Sequence, residues 1–252
     1  VVLLRQQLIA RGYMAPNSAG SYDRIMMRAV QRYQLDNGIV ADGVAGQSTL
    51  DALRVSPADR WKSVVVAMER LRWLGDAPRG VRHVWVNQPE FVARIVDNGR
   101  TTFQTRVVIG KNVEDQRSPE FSDEMEYMVI NPSWGVPRSI IVKEYLPLLQ
   151  RNRNAVGHLQ VVDGHGRVVP RGAVNFAAYS ASSFPFGLRQ PPSDGNALGK
   201  VKFMFPNKHN IYLHDTPAKN LFSHEVRAYS HGCIRLGDPM DFAYTLLAAQ
   251  SP

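Results

Sequence analysis

The stretch Ala228–Asp238 reads AYSHGCIRLGD and contains Cys233, the only cysteine among 252 residues. A cysteine that acts as a nucleophile needs a base or a positive field to remove its proton, because a free thiol is only slightly ionised at neutral pH. It also needs hydrogen-bond donors that face the developing oxyanion. Gly232 allows a tight backbone turn, so the amides of Gly232 and Cys233 are expected to point together at one oxygen.

Two histidines are candidates for the base that would deprotonate this thiol. His231 lies too close to Cys233 along the chain to be assigned that role. His214, in the stretch IYLHDTP, ends an alternating pattern typical of a strand. Residues 217–229 are predicted to form a surface loop, long enough to fold back and bring His214 against the Cys233 turn. The residues alone therefore favour a Cys–His pair with His214 as the base.

Other interpretations of the same residues stay open on chemistry alone. A single cysteine is more often an inert, small, buried apolar residue than a nucleophile. A histidine beside an aspartate is more often a surface pair or a turn cap than a base. A metal cluster is a third interpretation, but the spacing of its candidate ligands matches none of the usual zinc patterns. Those candidates are His209, His214, Asp215, His224, His231 and Cys233.

The charge of the chain attracts polyanions but does not predict a nucleic-acid partner. There are 30 basic and 22 acidic residues, a formal net charge of +8, and the cations are scattered rather than grouped. No RNA-binding or zinc-finger pattern is present. No apolar run reaches the roughly 20 residues that a membrane-spanning helix needs, so no integral membrane segment is expected. The chain opens inside a predicted helix, and we expect it to be a mature or trimmed fragment.

The periodicity changes twice along the chain and predicts an α+β protein. Residues 1–55 have three short helical patterns and are expected to form a small helical domain. Ser56 and Pro57 are typical of a helix start, and 56–80 is predicted to be a connecting helix with an apolar stripe. From residue 81 the period becomes two, which predicts a mostly β domain over 81–252. The pair Asn98-Gly99 predicts a hairpin, and Asp238 is expected to cap a closing helix.

These motifs resemble those of the L,D-transpeptidase catalytic domain, the YkuD fold. That family has a histidine, a spacer, and then a serine or threonine followed by a glycine–cysteine turn and an arginine or asparagine. In this chain the pattern falls on His214, Ser230, His231, Gly232, Cys233, Ile234 and Arg235. The stretches MERLRWLG, NPSWGVPRSI, NALGKVKFMFPN and YLHDTPAKNLF further resemble the YcbB-type branch. The N-terminal unit, residues 1–55, resembles a three-helix peptidoglycan-binding domain through the stretch AVQRYQLDNGIVADGVAGQSTLDAL, with Tyr33 where phenylalanine is usual.

The resemblance implies a mechanism on peptidoglycan stem peptides. Cys233 would attack the carbonyl of residue three in a tetrapeptide stem, release D-alanine and leave a thioester, which a second stem's amine would resolve to a 3→3 cross-link. The backbone carbonyl of Asp215 would orient His214, and His231 would line the site. Arg235 would either pair with a stem carboxylate or hold the turn. The same fold acting as a hydrolase or as a protein-anchoring transferase is the alternative, and a non-catalytic wall-binding module is a further one.

The resemblance also implies a capping subdomain over about 145–196. Five side chains there or nearby are candidates for lining a substrate tunnel, although packing is the default for each: Trp134, Tyr179, Phe184, Phe186 and Arg189. No metal or cofactor is expected. Acylation of Cys233 by carbapenem-type inhibitors and a periplasmic location are further expectations.

Overall fold

The computed structural model describes residues 1–75 and 79–250. The chain divides into two units, Val1–Val81 and Arg82–Pro252. Residues 76–78, in the predicted connecting helix, and residues 251–252, at the predicted end of the β domain, lie outside the described residues. The helices of the first unit are α1 (Val2–Ala10), α2 (Arg24–Asp36), α3 (Gln47–Arg54) and α4 (Pro57–Leu74). The helical character predicted for this part of the sequence is therefore confirmed.

A small apolar core holds α1, α2 and α3 together. Asp23 starts α2, because its side chain accepts a hydrogen bond from the Met26 N–H. Arg5 of α1 is buried and donates to the same carboxylate at 3.0 Å, which ties the two helices. The core residues are Leu8, Met14, Met26, Ala29, Val30, Tyr33 and Leu53. Ile25, next to the buried Met26 on α2, is 62% exposed, because consecutive residues of a helix point about 100° apart.

The buried Gln34 organises the loop between α2 and α3. Its amide nitrogen donates to Asp42 Oδ1, to the Val44 carbonyl and to Thr49 Oγ1, all within 3.0 Å. Its carbonyl oxygen accepts the Gly43 N–H at 2.9 Å. A buried amide that is fully paired fixes one loop conformation, since leaving any of these groups unpaired would be costly.

Helix α4 begins where the sequence predicts, but its apolar stripe is not covered. Ser56 accepts a hydrogen bond from the Asp59 N–H, and Pro57 occupies the first turn. None of the described α4 side chains is buried. Trp61 and Trp73 are 68% and 73% exposed. The predicted helix is confirmed.

The second unit is built on an eight-stranded sheet, with strands in the order β1-β2-β3-β12-β10-β9-β4 and β11 pairing with β3. The strands are β1 (Arg82–Asn87), β2 (Val92–Asp97), β3 (Arg100–Gly110), β4 (Tyr127–Ile130), β9 (Val201–Met204), β10 (Leu213–His214), β11 (Ala228–Ser230) and β12 (Ile234–Leu236). Asn98 and Gly99 have φ values of 49° and 76° in the β2–β3 turn, which confirms the predicted hairpin.

One face of this sheet is covered by α7 (Pro239–Ala248). Phe242 of α7 packs edge-on against Phe203, with ring centroids 4.9 Å apart. Asp238 occupies the N-cap position of this helix, as predicted, but its side chain forms no cap hydrogen bond. The carboxylate instead accepts from Thr105 Oγ1 of β3 at 2.9 Å, which ties the start of α7 to the sheet.

A separate four-stranded sheet, in the order β5-β8-β6-β7, forms the subdomain that we call the cap. Its strands are β5 (Trp134–Gly135), β6 (Gln160–Val162), β7 (Val168–Val169) and β8 (Gly187–Gln190). Short helices α5 (Arg138–Ile140) and α6 (Leu146–Arg151) flank a π-helical turn over Ile141–Tyr145. The cap core includes Val136 and Ile140, so this compact element begins before the expected residue 145. The β5 strand closes the sheet against β8, which accounts for the earlier start.

The segment over residues 217–229 lies mostly at the surface, as predicted, but it is not irregular throughout. It contains a 3₁₀ helix over Lys219–Ser223 and the start of β11. Phe222 and Arg227 are each only 8% exposed, so the segment is pinned to the sheet at two points. No described helix is long and apolar enough to cross a membrane.

Candidate active site

The Cys233 turn is held by two serine hydroxyls and a glycine in the left-handed region. Gly232 has a φ of +116°, and a Cβ added there would meet Ile211 Cδ1 at 3.0 Å. Ser118 donates to the Gly232 carbonyl at 2.6 Å, and Ser230 donates to the Cys233 carbonyl at 2.5 Å. Both carbonyls of the turn are thereby fixed, which holds the thiol in one position.

The two backbone amides of this turn differ. The Gly232 N–H donates to Ser230 Oγ at 3.1 Å, which contradicts the expectation that it is free to hold an oxyanion. The Ser230 hydroxyl accepts this hydrogen bond, so the Gly232 N–H is already paired. The Cys233 N–H donates to no acceptor in the described part of the chain. Within this turn, the Cys233 amide is therefore the better candidate for binding an oxyanion.

His214 lies at the end of β10, which is adjacent to β12. Cys233 immediately precedes β12. Leu213 pairs with Ile234 and His214 pairs with Arg235 in a parallel register, so Cys233 lies beside the neighbouring strand's Tyr212. The His214 Nδ1 is in a short hydrogen bond with the Asp215 carbonyl, the partner that the resemblance implies. This contact assigns the proton to Nδ1 and leaves Nε2 as the acceptor.

Burial sets the charge of this histidine. His214 is 4% exposed. Its burial, and next the charge of Arg235, lower the pKa of His214 to about 3, although the Asp215 carbonyl acts in the opposite direction. The imidazole is therefore neutral at neutral pH, which is the form that can accept a proton.

The carboxylate of Asp215 is structural, as distinct from its carbonyl. It accepts from Lys219 Nζ and the Thr216 N–H, each at 2.7 Å, and from the Lys200 N–H at 2.8 Å. A Cβ on Gly199 would lie 2.2 Å from Asp215 Oδ2, so the carboxylate can occupy this place only above a glycine. The carboxylate thereby ties the His214 strand end to the segment before β9.

The thiol of Cys233 is half-buried and is contacted by Tyr212. Burial raises the pKa of Cys233, and contacts from the Tyr212 backbone and side chain and the charges of Arg235 and Lys202 act in the opposite direction. The sulfur also lies 3.8 Å from the Asn210 carbonyl. Cysteine and histidine are therefore both neutral at rest, so the proton must move when a substrate arrives rather than beforehand.

His231 turns away from the thiol towards the cap. Its Nε2 lies 2.6 Å from Glu144 Oε1, in the π-helical turn of the cap. The adjacent Lys143 forms a short ion pair with Asp115, which lies in the segment after β3. The His231 imidazole therefore serves as an anchor between the thiol turn and the cap in this structure.

The five candidate tunnel residues lie in the cap, where they make packing contacts. Phe184 is 2% exposed and belongs to the cap core, so it does not line an open surface. Tyr179 stacks edge-on against Phe184 and Phe186, at centroid distances of 5.8 and 6.0 Å. Trp134 packs on the same core. Arg189 donates to Gln160 Oε1 at 3.0 Å.

No contact links these cap residues to Cys233 or His214 within residues 1–75 and 79–250. Arg235, by contrast, lies in register with His214 and therefore belongs to the site. Across the described chain, no three His, Cys, Asp or Glu side chains are arranged to hold a metal ion.

A thiol on a tight turn, with a neutral and anchored histidine on the neighbouring strand, is the kind of arrangement found in enzymes that act through a cysteine nucleophile. Residues 81–250 match the YkuD family model, described as the L,D-transpeptidase catalytic domain. The chain belongs to this family. Residues 1–53 match a second model, provisionally named a peptidoglycan binding domain.

The chain is also similar to individual known proteins. It is 32% identical over 181 residues to a Haemophilus influenzae protein provisionally named an L,D-transpeptidase, an overlap of 71% of this chain and 36% of that protein. The chain thus matches about a third of that relative's length.

Two solved structures align over 97% of the chain. One is an L,D-transpeptidase from Xylanimonas cellulosilytica, at 17% identity, 85% coverage of that chain and a TM-score of 0.29. The other is a fused zinc-dependent amidase/peptidase/peptidoglycan-binding protein from Clostridium acetobutylicum, at 13% identity, 89% coverage and a TM-score of 0.31. Such low TM-scores do not show a common fold, so membership of the family stands on the sequence match.

Three residues around the site were missed by the sequence interpretation. Tyr212 could have been found, since it lies two residues before His214 and shares its face of the strand. Lys202 is the register partner of His214 on β9, and no local pattern reveals that pairing. Glu144 reaches His231 only through the fold of the cap.

Proposed function

We propose that this protein is an L,D-transpeptidase that forms 3→3 cross-links between peptidoglycan stem peptides. The observation that carries the proposal is the anchoring of His214 Nδ1 on the Asp215 carbonyl, with Cys233 immediately before the adjacent strand. This arrangement orients one histidine nitrogen for proton transfer, as nucleophilic catalysis by a thiol requires. Membership of the YkuD family supports the same activity.

In the first half-reaction the Cys233 proton passes to His214 Nε2 as the sulfur attacks the carbonyl carbon of residue three in a tetrapeptide stem. The Cys233 N–H donates to the resulting oxyanion. When the tetrahedral intermediate collapses, the carbon–nitrogen bond breaks, and the imidazolium gives its proton to the departing D-alanine amine. A thioester on Cys233 remains.

In the second half-reaction the side-chain amine of another stem attacks the thioester. His214 accepts the amine's proton and returns it to the sulfur as the carbon–sulfur bond breaks. The product is a joined pair of stems. If water attacks instead, the product is a free tripeptide stem, and if a protein amine attacks, the product is an anchored protein. These are the two alternatives that the same thioester allows.

The first unit is proposed to hold the enzyme on its polymer. Its match to a peptidoglycan-binding model and the net charge of +8 support binding to a wall polymer that carries carboxylates. Because peptidoglycan is extracytoplasmic, we expect the protein to act there, in the periplasm. Carbapenem-type β-lactams are expected to acylate Cys233, because their strained carbonyl is open to the same thiol attack.

The experiment incubates the protein with purified disaccharide-tetrapeptides and follows the products by mass. We expect release of D-alanine together with cross-linked dimers, and loss of both in Cys233→Ala. His214→Gln is expected to lower the rate by about 10²–10⁴, the usual contribution of a positioned general base. Tyr244→Phe, at an exposed position on α7, serves as the unchanged control.

Full activity of Cys233→Ala would refute the proposed nucleophile. Free tripeptide as the only product would favour the hydrolase. If wild-type Cys233 gains no mass from a carbapenem and no product appears, a non-catalytic wall-binding module would be favoured instead.

A further inference from the structure

Two cations flank the candidate base in a single row across the sheet. Lys202 on β9 pairs with His214 on β10, and His214 pairs with Arg235 on β12. Residues in direct register point their side chains to the same face, and their neighbours Phe203, Leu213 and Ile234 face the core. Since adjacent strands are about 4.8 Å apart, the two cationic residues lie about 10 Å apart with the imidazole between them.

Neither cation is paired with an anion of the described protein. The Arg235 side chain is half-buried, and its Nε is buried without a hydrogen-bond partner. No acceptor for Arg235 occurs among residues 1–75 and 79–250. The Lys202 ammonium lies 5.6 Å from the centroid of the Tyr212 ring, and this is its one contact of that kind in the described chain. A buried donor without a partner is costly, and an anionic ligand that accepted from Arg235 would remove this cost.

From this row we infer that Lys202 and Arg235 together bind the terminal carboxylate of the donor stem. The inference rests on the proposed function and names a subsite for it. In a tetrapeptide stem the carboxylate lies two bonds beyond the scissile amide nitrogen, on the residue that leaves. A guanidinium can bind a carboxylate with two parallel hydrogen bonds, and an ammonium adds a point charge. Stems that end in a carboxylate at this distance would thus be selected.

A role in tuning the thiol alone is the competing explanation. Both cations favour the ionised sulfur, and this effect would act on every reagent equally. A binding role, by contrast, depends on the charge of the ligand. The two explanations therefore separate when charged and neutral partners of the same thiol are compared.

The first experiment compares alkylation of Cys233 by iodoacetate and by iodoacetamide, in which a sulfur–carbon bond forms and iodide leaves. The two reagents differ in one negative charge. We expect the iodoacetate-to-iodoacetamide rate ratio to fall about three- to tenfold in Lys202→Gln and in Arg235→Gln. Arg235→Lys should retain most of the ratio, which separates loss of charge from loss of fold.

Arg100→Gln is the matched control, because it also removes one positive charge. Arg100 is exposed and lies on β3, eight residues from Val108, which is the register partner of Arg235. Its ratio should equal that of the wild type, since roughly 25 Å of strand separates the two positions. If the rates with both reagents fall equally in Lys202→Gln and Arg235→Gln, the ratio is unchanged and the binding role is overturned. This measurement needs no turnover, so it can succeed even if the transpeptidase proposal fails.

The second experiment uses two donor stems, one ending in a carboxylate and one in a carboxamide. The wild type should prefer the acid in kcat/KM, and each glutamine variant should lose about three- to tenfold of that preference, mainly through KM. Equal losses on both stems would contradict the inference while leaving the transpeptidase activity intact. Absence of turnover with either stem would count against the proposed function alone.

Discussion

Two arginines approach the same strand, β3, and they are bound in opposite ways. Arg227, in the segment before β11, donates to the carbonyls of Val107, His224 and Phe91 at 3.1, 2.7 and 3.0 Å. Arg235, opposite Val108 on β12, has a buried Nε without a partner. A guanidinium whose donors are used by backbone carbonyls holds the fold, whereas one whose donors remain unused is available to a ligand.

The difference shows why the residue type alone does not reveal the role of an arginine. Both arginines are drawn from water, and burial lowers the pKa of both. The two arginines differ in the number of hydrogen-bond acceptors that the surrounding backbone places near the guanidinium. The predictions below test this comparison, beginning with the largest effect.

Removing the saturated arginine should be the most damaging change. Arg227→Met removes three hydrogen bonds from the guanidinium to backbone carbonyls, so we expect it to lower the free energy of unfolding by about 3 kcal/mol. Arg235→Met removes a donor that was already unpaired, so stability should change by no more than about 1 kcal/mol in either direction. Urea unfolding followed by circular dichroism measures both. Similar losses of unfolding free energy in the two variants would contradict the assigned difference between Arg227 and Arg235.

The pH dependence of alkylation tests the resting charge of the site. Because the pKa of Cys233 is raised above its ordinary value of 9.0, the thiol is protonated at neutral pH. The rate with iodoacetamide should therefore rise about tenfold per pH unit through pH 8 and level off only above pH 9. A preformed thiolate–imidazolium pair would instead give a rate that is already constant near pH 6, and that result would contradict the neutral pair.

A smaller effect is expected at Tyr212, whose contact lowers the pKa of the thiol. Tyr212→Phe removes the hydroxyl, so the ionised sulfur loses a stabilising contact and its pKa rises further. The alkylation rate at pH 8 should fall about fivefold, which corresponds to one hydrogen bond of ordinary strength. Tyr244→Phe, the same change on an exposed helix surface, should leave the rate unaltered.

The smallest effect is expected at the contact between the cap and the thiol turn. Glu144→Gln keeps the shape of the side chain but removes the charge that faces His231 at 2.6 Å. Because both groups are partly exposed, stability should fall by less than about 1 kcal/mol. If the thermal unfolding midpoint drops by more than several degrees, the Glu144–His231 pair contributes more to stability than its exposure indicates.

Sequence patterns predicted much of the fold, and their errors have physical causes. The hairpin at Asn98-Gly99 follows from the preference of both residues for positive φ. The 217–229 segment is mostly at the surface, as predicted, but the burial of Arg227 against its carbonyl partners follows from no sequence period. Asp238 was expected to cap α7, but its carboxylate instead accepts a hydrogen bond from Thr105, which lies 133 residues earlier in the chain.

By itself, the sequence determined the family and predicted the members of the proposed site, since the motif from His214 to Arg235 contains the thiol, the candidate base and the glycine turn. Only the tertiary structure decided how these groups are charged and paired. The register that brings Lys202 and Arg235 to either side of His214 joins strands distant along the chain. Burial and hydrogen-bond supply depend on such long-range pairing, and a local pattern does not contain them.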